Sequence, residues 1–179
     1  MGTTEFEGRA LGIDVAAITA TIRQRGGAHV ADRLMRRHVY DIVPGEQGRW
    51  IRLRDTGSEV TLCVKHITSD AIDGTREEEV AVSSFEDTHA LLNLMGFTAK
   101  AYQENRRTSY VLEGVRLEID SWPLIPPYLE IEGDSTEEVT STAKLLGLDP
   151  GSLTGANTLG IYARYGIDLT QIKDLRFPD

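Results

Sequence analysis

Charged residues recur at every second position in several short stretches of the chain. The first stretch carries Glu5, Glu7 and Arg9, and later ones carry Arg52/Arg54, Lys65, Glu77/Glu79, Arg107, Glu118/Asp120 and Glu130/Glu132. Arginine forks suit phosphate oxygens, and clustered carboxylates suit hard cations such as Mg²⁺ or Mn²⁺. If these side chains meet, they predict a site for a metal–triphosphate complex.

The residues between the charges indicate the elements that must position them. Apolar side chains such as Leu53, Val64, Ile119 and Ile131 occupy the alternate positions. This alternation predicts strands, because successive side chains of a strand point to opposite faces. The polar faces carry both signs of charge, strand after strand, which favours charged faces turned toward one another around a wet interior. A solvated surface is the ordinary alternative for any single pair, and for Glu77 and Glu79 it has nearly even weight.

Turn and cap residues divide the chain into strands and helices. Asp14, Ser84 and Ser135 are candidate helix caps, and Ser135 with Glu138 forms a capping box. The predicted strands cover about 4–11, 32–42, 49–55, 59–66, 76–82, 98–112, 115–120 and 129–132. We therefore predict an α+β fold, an eight-stranded antiparallel closed β-barrel with a charged interior and helices packed outside. The chain reads as one domain, 1–179, with C-terminal helices in 135–166 and a tail in 167–179.

Composition limits the partners and the compartment. The 179 residues carry a formal net charge of -9, which argues against a nucleic-acid partner. Cys63 is the single cysteine, so no intramolecular disulfide can form, and we interpret it as a space-filling side chain. No apolar run is long enough to cross a bilayer, and no secretion signal is evident. These features predict a cytoplasmic protein without a membrane partner, and packing of its acidic helices would make a homodimer.

The ordered set of charges resembles the CYTH superfamily, also called triphosphate tunnel metalloenzymes, and in particular its class IV adenylate cyclase-like branch. The opening E-x-E-x-K signature of that family falls on Glu5, Glu7 and Arg9. Its R-x-R, Lys, E-x-E, K-x-R, Asp and closing E-x-E elements follow in order. They fall on Arg52/Arg54, Lys65, Glu77/Glu79, Asn105/Arg107, Asp120 and Glu130/Glu132.

The resemblance implies roles for these residues. It implies triphosphate binding by Arg9, Arg52, Arg54, Lys65 and Arg107, of which Arg9, Lys65 and Arg107 would also be catalytic. It implies Mg²⁺ or Mn²⁺ binding by Glu5, Glu7, Glu130 and Glu132, with Glu77, Glu79, Glu118 and Asp120 as supporting acids. The implied reactions are conversion of ATP to cyclic AMP and pyrophosphate, or hydrolysis of inorganic triphosphate, thiamine triphosphate or a nucleoside triphosphate.

Two positions depart from the family pattern. Arg9 replaces a lysine and cannot serve as a base. Asn105 replaces a second lysine and removes a positive charge, for which Lys100 or Arg106 are the nearby candidates to compensate. These departures keep two alternatives open: a non-catalytic module that binds nucleotide or polyphosphate, and a structural barrel whose charges merely pair with one another.

Overall fold

Eight long strands form one closed antiparallel sheet. In the computed structural model, residues 3–46, 48–69 and 71–178 are described. The strands are β1 (Thr3–Leu11), β2 (Ala28–Asp41), β3 (Arg49–Asp55), β4 (Val60–Ile67), β5 (Thr75–Val82), β6 (Ala99–Leu112), β7 (Val115–Ser121) and β8 (Tyr128–Gly133). Their order is β2-β3-β4-β5-β1-β8-β7-β6, and pairing of β2 with β6 closes the barrel. The predicted closed barrel of the α+β class is therefore confirmed.

Four helices lie outside the barrel, and each begins where a side chain caps it. They are α1 (Val15–Gln24), α2 (Phe85–Leu94), α3 (Thr136–Leu145) and α4 (Thr158–Arg164). Asp14, Ser84, Ser135 and Asn157 each accept a hydrogen bond from the backbone N–H three residues later. These caps satisfy amide groups that have no partner inside the helix, and the three predicted caps, Asp14, Ser84 and Ser135, are confirmed. Among the described residues, no helix is long and apolar enough to span a membrane.

The main hydrophobic core lies between the helices and the outer face of the sheet. Ile22 of α1 and Val139 of α3 pack with Leu117, Leu129 and Ile131, and all five are fully buried. These strand residues alternate with the charged ones, so the apolar half of β7 and β8 faces outward under the helices. The barrel is thus inverted relative to a barrel with an apolar interior.

The close approach of α3 to β1 depends on a glycine in the first charged stretch. A Cβ atom at Gly8 would lie 3.0 Å from the Val139 side chain and 3.1 Å from that of Leu153. Any larger residue would push the C-terminal segment away from β1. The spacing of Glu7, Gly8 and Arg9 therefore sets charges on one face and room for a helix on the other.

The C-terminal region packs against the barrel through a second apolar cluster. Tyr162 of α4 and Leu175 are buried in it together with Trp122 and Tyr128. Within the segment 167–179, predicted as a tail, β9 (Asp174–Leu175) pairs in parallel with β6. Arg106 lies 4.3 Å from the ring centroid of Phe177, while Asp179 is outside the described residues. This segment is held to the barrel as far as the structure describes it.

Candidate functional site

The barrel encloses one large polar cavity, the tunnel, with a volume of about 1310 Å³. All the predicted site residues line it: Glu5, Glu7, Arg9, Arg52, Arg54, Lys65, Glu77, Glu79, Arg107, Glu118, Asp120, Glu130 and Glu132. Residues that lie opposite each other on antiparallel strands point to the same face. The alternation seen in sequence therefore converges on a single site, whereas the roles of the individual residues stay predictions.

One side of the tunnel carries most of the carboxylates. We call Glu5, Glu7, Glu118, Asp120, Glu130 and Glu132, on β1, β7 and β8, the acidic wall. Glu7 lies opposite Glu132, and Glu118 lies opposite Glu130. Like charges at directly opposite positions repel, so this wall needs cations.

Arg9 is one of these cations, and all three of its guanidinium nitrogens make contacts. Its Nε donates to Glu130 at 2.7 Å, and one Nη lies 2.8 Å from a Glu7 carboxylate oxygen. The other Nη donates to the backbone oxygen of Ala156 at 3.0 Å, and the Arg9 backbone pairs with Thr154. The guanidinium thus ties β1 and β8 to the C-terminal segment. Phosphate binding by Arg9, which the family resemblance implies, would require some of these contacts to break.

Arg107 is the second cation held by the acidic wall. Its Nε donates to Asp120 at 2.8 Å, and an Nη donates to Glu130 at 3.0 Å. Burial would raise the pKa of Glu130, but the attraction of Arg9 and Arg107 outweighs it and holds that pKa below its ordinary value. Glu130 is therefore ionised at neutral pH and bound between two arginines.

Lys65 and Arg52 belong to a third network, across β1, β3, β4 and β5. Lys65 Nζ lies 2.8 Å from Glu5 and 2.7 Å from Glu77. Arg52 donates to Glu77 and to Glu79, both at 3.0 Å. Burial raises the pKa of Glu5 to about 7, because Lys65 offsets the burial only in part while Glu7 and Glu77 repel the carboxylate. Glu5 is thus an acidic group whose charge the protein compensates incompletely.

The opposite side of the tunnel carries arginines, two of which the sequence analysis missed. We call Arg33, Arg37, Arg52 and Arg54, on β2 and β3, the basic wall. Arg37 lies directly opposite Arg54, and Arg33 lies opposite Arg107. Arg33 and Arg37 both line the tunnel. The pattern on β2 hid them, because Leu34, Met35, Val39 and Tyr40 place apolar residues on both faces of that strand.

On the basic wall, Arg52 is paired with Glu77 and Glu79, whereas Arg37 and Arg54 have fewer carboxylate partners than the cations of the acidic wall. Arg54 has Glu79 at 3.3 Å, and among the described residues no carboxylate lies within 4.0 Å of Arg37. The Nε atoms of both arginines are buried without a hydrogen-bond partner. Burial, and then the repulsion of Arg52, Arg54 and Arg107, lowers the pKa of Arg37 to about 9, so it is still charged at neutral pH. The wall therefore presents unbalanced positive charge to the tunnel.

The acidic wall offers oxygen ligands of the kind that Mg²⁺ and Mn²⁺ prefer. Glu132 is opposite Glu7, and its pKa is raised by burial and by Glu130. Its partner Arg116 is mostly exposed, with a side chain 59% accessible, and can be displaced. Together with the raised pKa of Glu5, these features fit a divalent cation that would stabilise the charged form of each carboxylate.

Cys63 contributes to a different grouping from the one predicted. Its Sγ and carboxylate oxygens of Glu77 and Glu79 all lie within 4.8 Å of one another. Over the described ranges, no three of the predicted ligands Glu5, Glu7, Glu130 and Glu132 meet this criterion. Cys63 is buried as interpreted, on the tunnel side of β4, and burial raises its pKa to about 11, so its thiol is protonated at neutral pH.

Neither Lys100 nor Arg106 replaces the charge missing at Asn105. Lys100 pairs with Asp41, and Arg106 stacks on Phe177. Asn105 itself is fully buried and donates to Asp120 at 2.8 Å while accepting from Arg37. The neighbour that brings a cation to this position is therefore Arg37.

Comparison with known proteins rests on structure, since no family model and no curated sequence matches the chain. A conserved hypothetical protein from Pyrococcus furiosus is 21% identical, with a TM-score of 0.74 over 88% of this chain and 99% of its own. A proposed adenylate cyclase from Vibrio parahaemolyticus is 15% identical, with a TM-score of 0.76 over 91% and 99%. A proposed adenylyl cyclase from Hippeastrum, described as having a dominant triphosphatase activity, is 17% identical, with a TM-score of 0.63 over 90% and 96%.

At these identities the likeness is one of fold. It extends over nearly the whole length of each of the three proteins, so the eight-stranded tunnel and the helices outside it are shared as a unit. The eight-stranded tunnel fold that the sequence resemblance implies is thereby confirmed.

Proposed function

We propose that this protein is a divalent-metal-dependent enzyme that acts on a triphosphate substrate inside the tunnel. The observation that carries the proposal is the division of one buried cavity into an acidic wall and an unbalanced basic wall. Burying unpaired charge is costly unless a ligand compensates it. A triphosphate with its metal ion compensates both walls at once.

The basic wall would hold the phosphate chain. Arg52 and Arg54 come from adjacent inward positions of β3, and their forks can bind phosphate oxygens in pairs. Lys65 and Arg107 flank them and, like Arg52, are bound to carboxylates at distances of 2.7–3.0 Å. We infer that they add positive charge to the site while the acids orient them.

The acidic wall would hold the metal through Glu5, Glu7 and Glu132, with Glu130 between Arg9 and Arg107. A bound Mg²⁺ or Mn²⁺ supplies charge neutralisation and orientation of the phosphates. The remaining catalytic contribution of the chain is electrostatic. Phosphoryl transfer relies mainly on positioning and on stabilisation of charge that spreads over phosphate oxygens.

Two reactions fit this site, and one fold can support either. In hydrolysis, water attacks the terminal phosphorus; in cyclisation, a ribose hydroxyl attacks the α-phosphorus and pyrophosphate leaves. The tunnel volume of about 1310 Å³ exceeds what a bare triphosphate fills, so there is room for an organic group on the substrate. The names of the Vibrio parahaemolyticus and Hippeastrum proteins support both reactions.

Product analysis tests the proposal. The purified protein is incubated with ATP, thiamine triphosphate or tripolyphosphate, with Mg²⁺, Mn²⁺ or chelator, and the products are separated. We expect metal-dependent release of orthophosphate or formation of cyclic AMP. An Arg52→Met variant should lose the activity, whereas an Arg23→Met variant on α1 is the control and should keep it. Metal-independent turnover, or turnover equal in both variants, would contradict the proposal.

A non-catalytic binding module is the second candidate, and Arg9 favours it. All three guanidinium nitrogens of Arg9 are committed to Glu7, Glu130 and the C-terminal backbone, so the position that carries a lysine in the family signature is occupied by a structural contact. Tight calorimetric binding of tripolyphosphate without turnover in the same substrate panel would select this alternative.

A further inference from the structure

We propose that Arg37 binds a phosphate group of the ligand and supplies, from β2, the positive charge that is missing at Asn105. This inference rests on the proposed function, because it assigns a further residue to the same triphosphate site. The charge would have moved from β6 to the neighbouring strand β2 while remaining at the same place in the tunnel.

The placement of the Arg37 guanidinium supports this relocation. Met35 is the residue directly opposite Asn105, and Arg37 follows Met35 by two positions on the same face of β2. An Arg37 Nη donates to the Asn105 side-chain oxygen, so the cation sits beside the amide. The Asn105 amide nitrogen in turn donates to Asp120, which fixes the direction of the amide.

The guanidinium is held in place from its other side by an aromatic ring. The Arg37 Cζ lies 4.5 Å from the ring centroid of Trp122. Stacking on an aromatic face stabilises a guanidinium without neutralising it. Arg37 is therefore oriented by uncharged groups, Asn105 and Trp122, which leaves its charge available to a ligand.

The charge of Arg37 has no directly paired carboxylate within the described chain, and Asp120 offsets the burial and repulsion only in part. It faces Arg54 across the strand pair, and burial together with Arg52, Arg54 and Arg107 disfavours its charged form. The Arg37 side chain is buried, since the residue is only 8% exposed, and its Nε has no hydrogen-bond partner. A buried donor without a partner is costly in a structural role, whereas a phosphate oxygen at this point would accept from it.

The chemistry of the position also limits the ligand. Four arginines of one wall, Arg33, Arg37, Arg52 and Arg54, line the tunnel, and the carboxylates paired with them among the described residues are Glu77 and Glu79. A single carboxylate would satisfy one fork only. A chain of phosphates offers an oxygen pair to each fork in turn, so the inference favours a ligand with at least two linked phosphates.

Calorimetric titration of tripolyphosphate in the presence of Mg²⁺ tests the inference. Arg37→Gln should weaken binding by about 10- to 100-fold, since a charge-assisted hydrogen bond is removed. Arg106→Gln, on the outer face of the neighbouring strand, is the matched control and should bind like the wild type. Arg37→Lys keeps the charge but loses the fork, and should fall between the wild type and Arg37→Gln.

A rescue experiment separates a binding role from a structural one. The double variant Arg37→Gln/Asn105→Lys returns the charge to β6 and should recover most of the lost affinity. Chemical denaturation should place Arg37→Gln at or above the stability of the wild type, because a repelled buried cation is gone. Unchanged affinity in a folded Arg37→Gln, or no recovery in the double variant, would overturn the inference while leaving the proposed function standing. No binding by the wild type would overturn both.

Discussion

The two walls of the tunnel use arginine in opposite ways. On the acidic wall, Arg9 and Arg107 each contact two carboxylates at 2.5–3.0 Å. On the basic wall, Arg54 has one carboxylate at 3.3 Å, and Arg37 has no such contact in the described residues. Arg52, on the same wall, contacts Glu77 and Glu79 at 3.0 Å, so the incompletely paired arginines of the basic wall are Arg37 and Arg54.

This difference distinguishes the charges that stabilise the fold from the charges that a ligand would compensate. A charge that is buried and fully paired is explained by the structure around it, while a buried charge that its surroundings repel needs a partner from outside. Titratable groups that their environment disfavours concentrate at functional sites. By this criterion the basic wall gives the stronger indication of a bound ligand, although the sequence motifs are more complete on the acidic wall.

The largest expected effect is on stability at the acidic wall. Arg107→Met would leave the fully buried Asp120 without its cation and Glu130 with Arg9 alone, and we expect a loss of about 3–5 kcal/mol in the free energy of unfolding. Arg54→Met on the basic wall should change this free energy by less than about 1 kcal/mol, since it also removes repulsion from Arg52 and Arg107. Urea denaturation of both variants measures the two changes in the free energy of unfolding. Equal losses would contradict the proposed difference between the walls.

A smaller loss of stability is expected when Arg9 is replaced by the lysine of the family signature. Arg9→Lys keeps the charge but has too few donors in the right directions for Glu7, Glu130 and Ala156 together. We expect a loss of about 2–3 kcal/mol in the free energy of unfolding and an unchanged affinity for tripolyphosphate. Weaker tripolyphosphate binding with unchanged stability would show instead that Arg9 is a phosphate ligand, as the family resemblance implies.

Affinity for the ligand, unlike stability, should depend more on the basic wall than on the acidic wall. Arg54→Met should weaken tripolyphosphate binding by about tenfold, equivalent to about 1.4 kcal/mol. Arg116→Met, which removes an exposed cation beside Glu132, serves as the control and should leave the affinity for tripolyphosphate unchanged. Titration calorimetry measures both. Should Arg116→Met prove the more damaging change, the ligand would lie closer to the acidic wall than proposed.

The smallest effect concerns the pH dependence of stability. The pKa of Glu5 is raised to about 7 in the folded state, so ionisation of Glu5 makes the folded state less stable as the pH rises from about 5 to 7. Glu5→Gln removes this dependence. The free energy of unfolding of the variant minus that of the wild type should therefore increase by about 1–2 kcal/mol across that interval. Parallel denaturation curves at pH 5, 6 and 7 give the difference, and a constant difference would contradict the raised pKa.

The strands and the inward charges could be predicted from sequence because one local rule governs them. Residues such as Arg52, Leu53 and Arg54 alternate cleanly, so their parity fixes the face of each side chain. On β2 this rule gave no answer for Arg37, since apolar residues occur on both of its faces. The grouping of Cys63 with Glu77 and Glu79 also went unpredicted, because it depends on which residues face each other across β4 and β5.

The choice of ion-pair partners could not be predicted, for a related reason. Lys65 meets Glu5, sixty residues earlier, through the register of β4 and β5 and the closure of β5 onto β1. Arg9 meets Ala156 because the C-terminal segment returns to β1. Register and chain path are properties of the whole fold, so a single sequence shows the charges but not which of them remain unpaired.

A structure of the protein with Mn²⁺ and a non-hydrolysable triphosphate tests the division of the tunnel most directly. We expect anomalous scattering from Mn²⁺ beside Glu5, Glu7 and Glu132, and phosphate groups within hydrogen-bond distance of Arg37, Arg52 and Arg54. Phosphates bound outside the barrel, or a tunnel in which the basic wall stays without ligand at saturating triphosphate, would contradict the account.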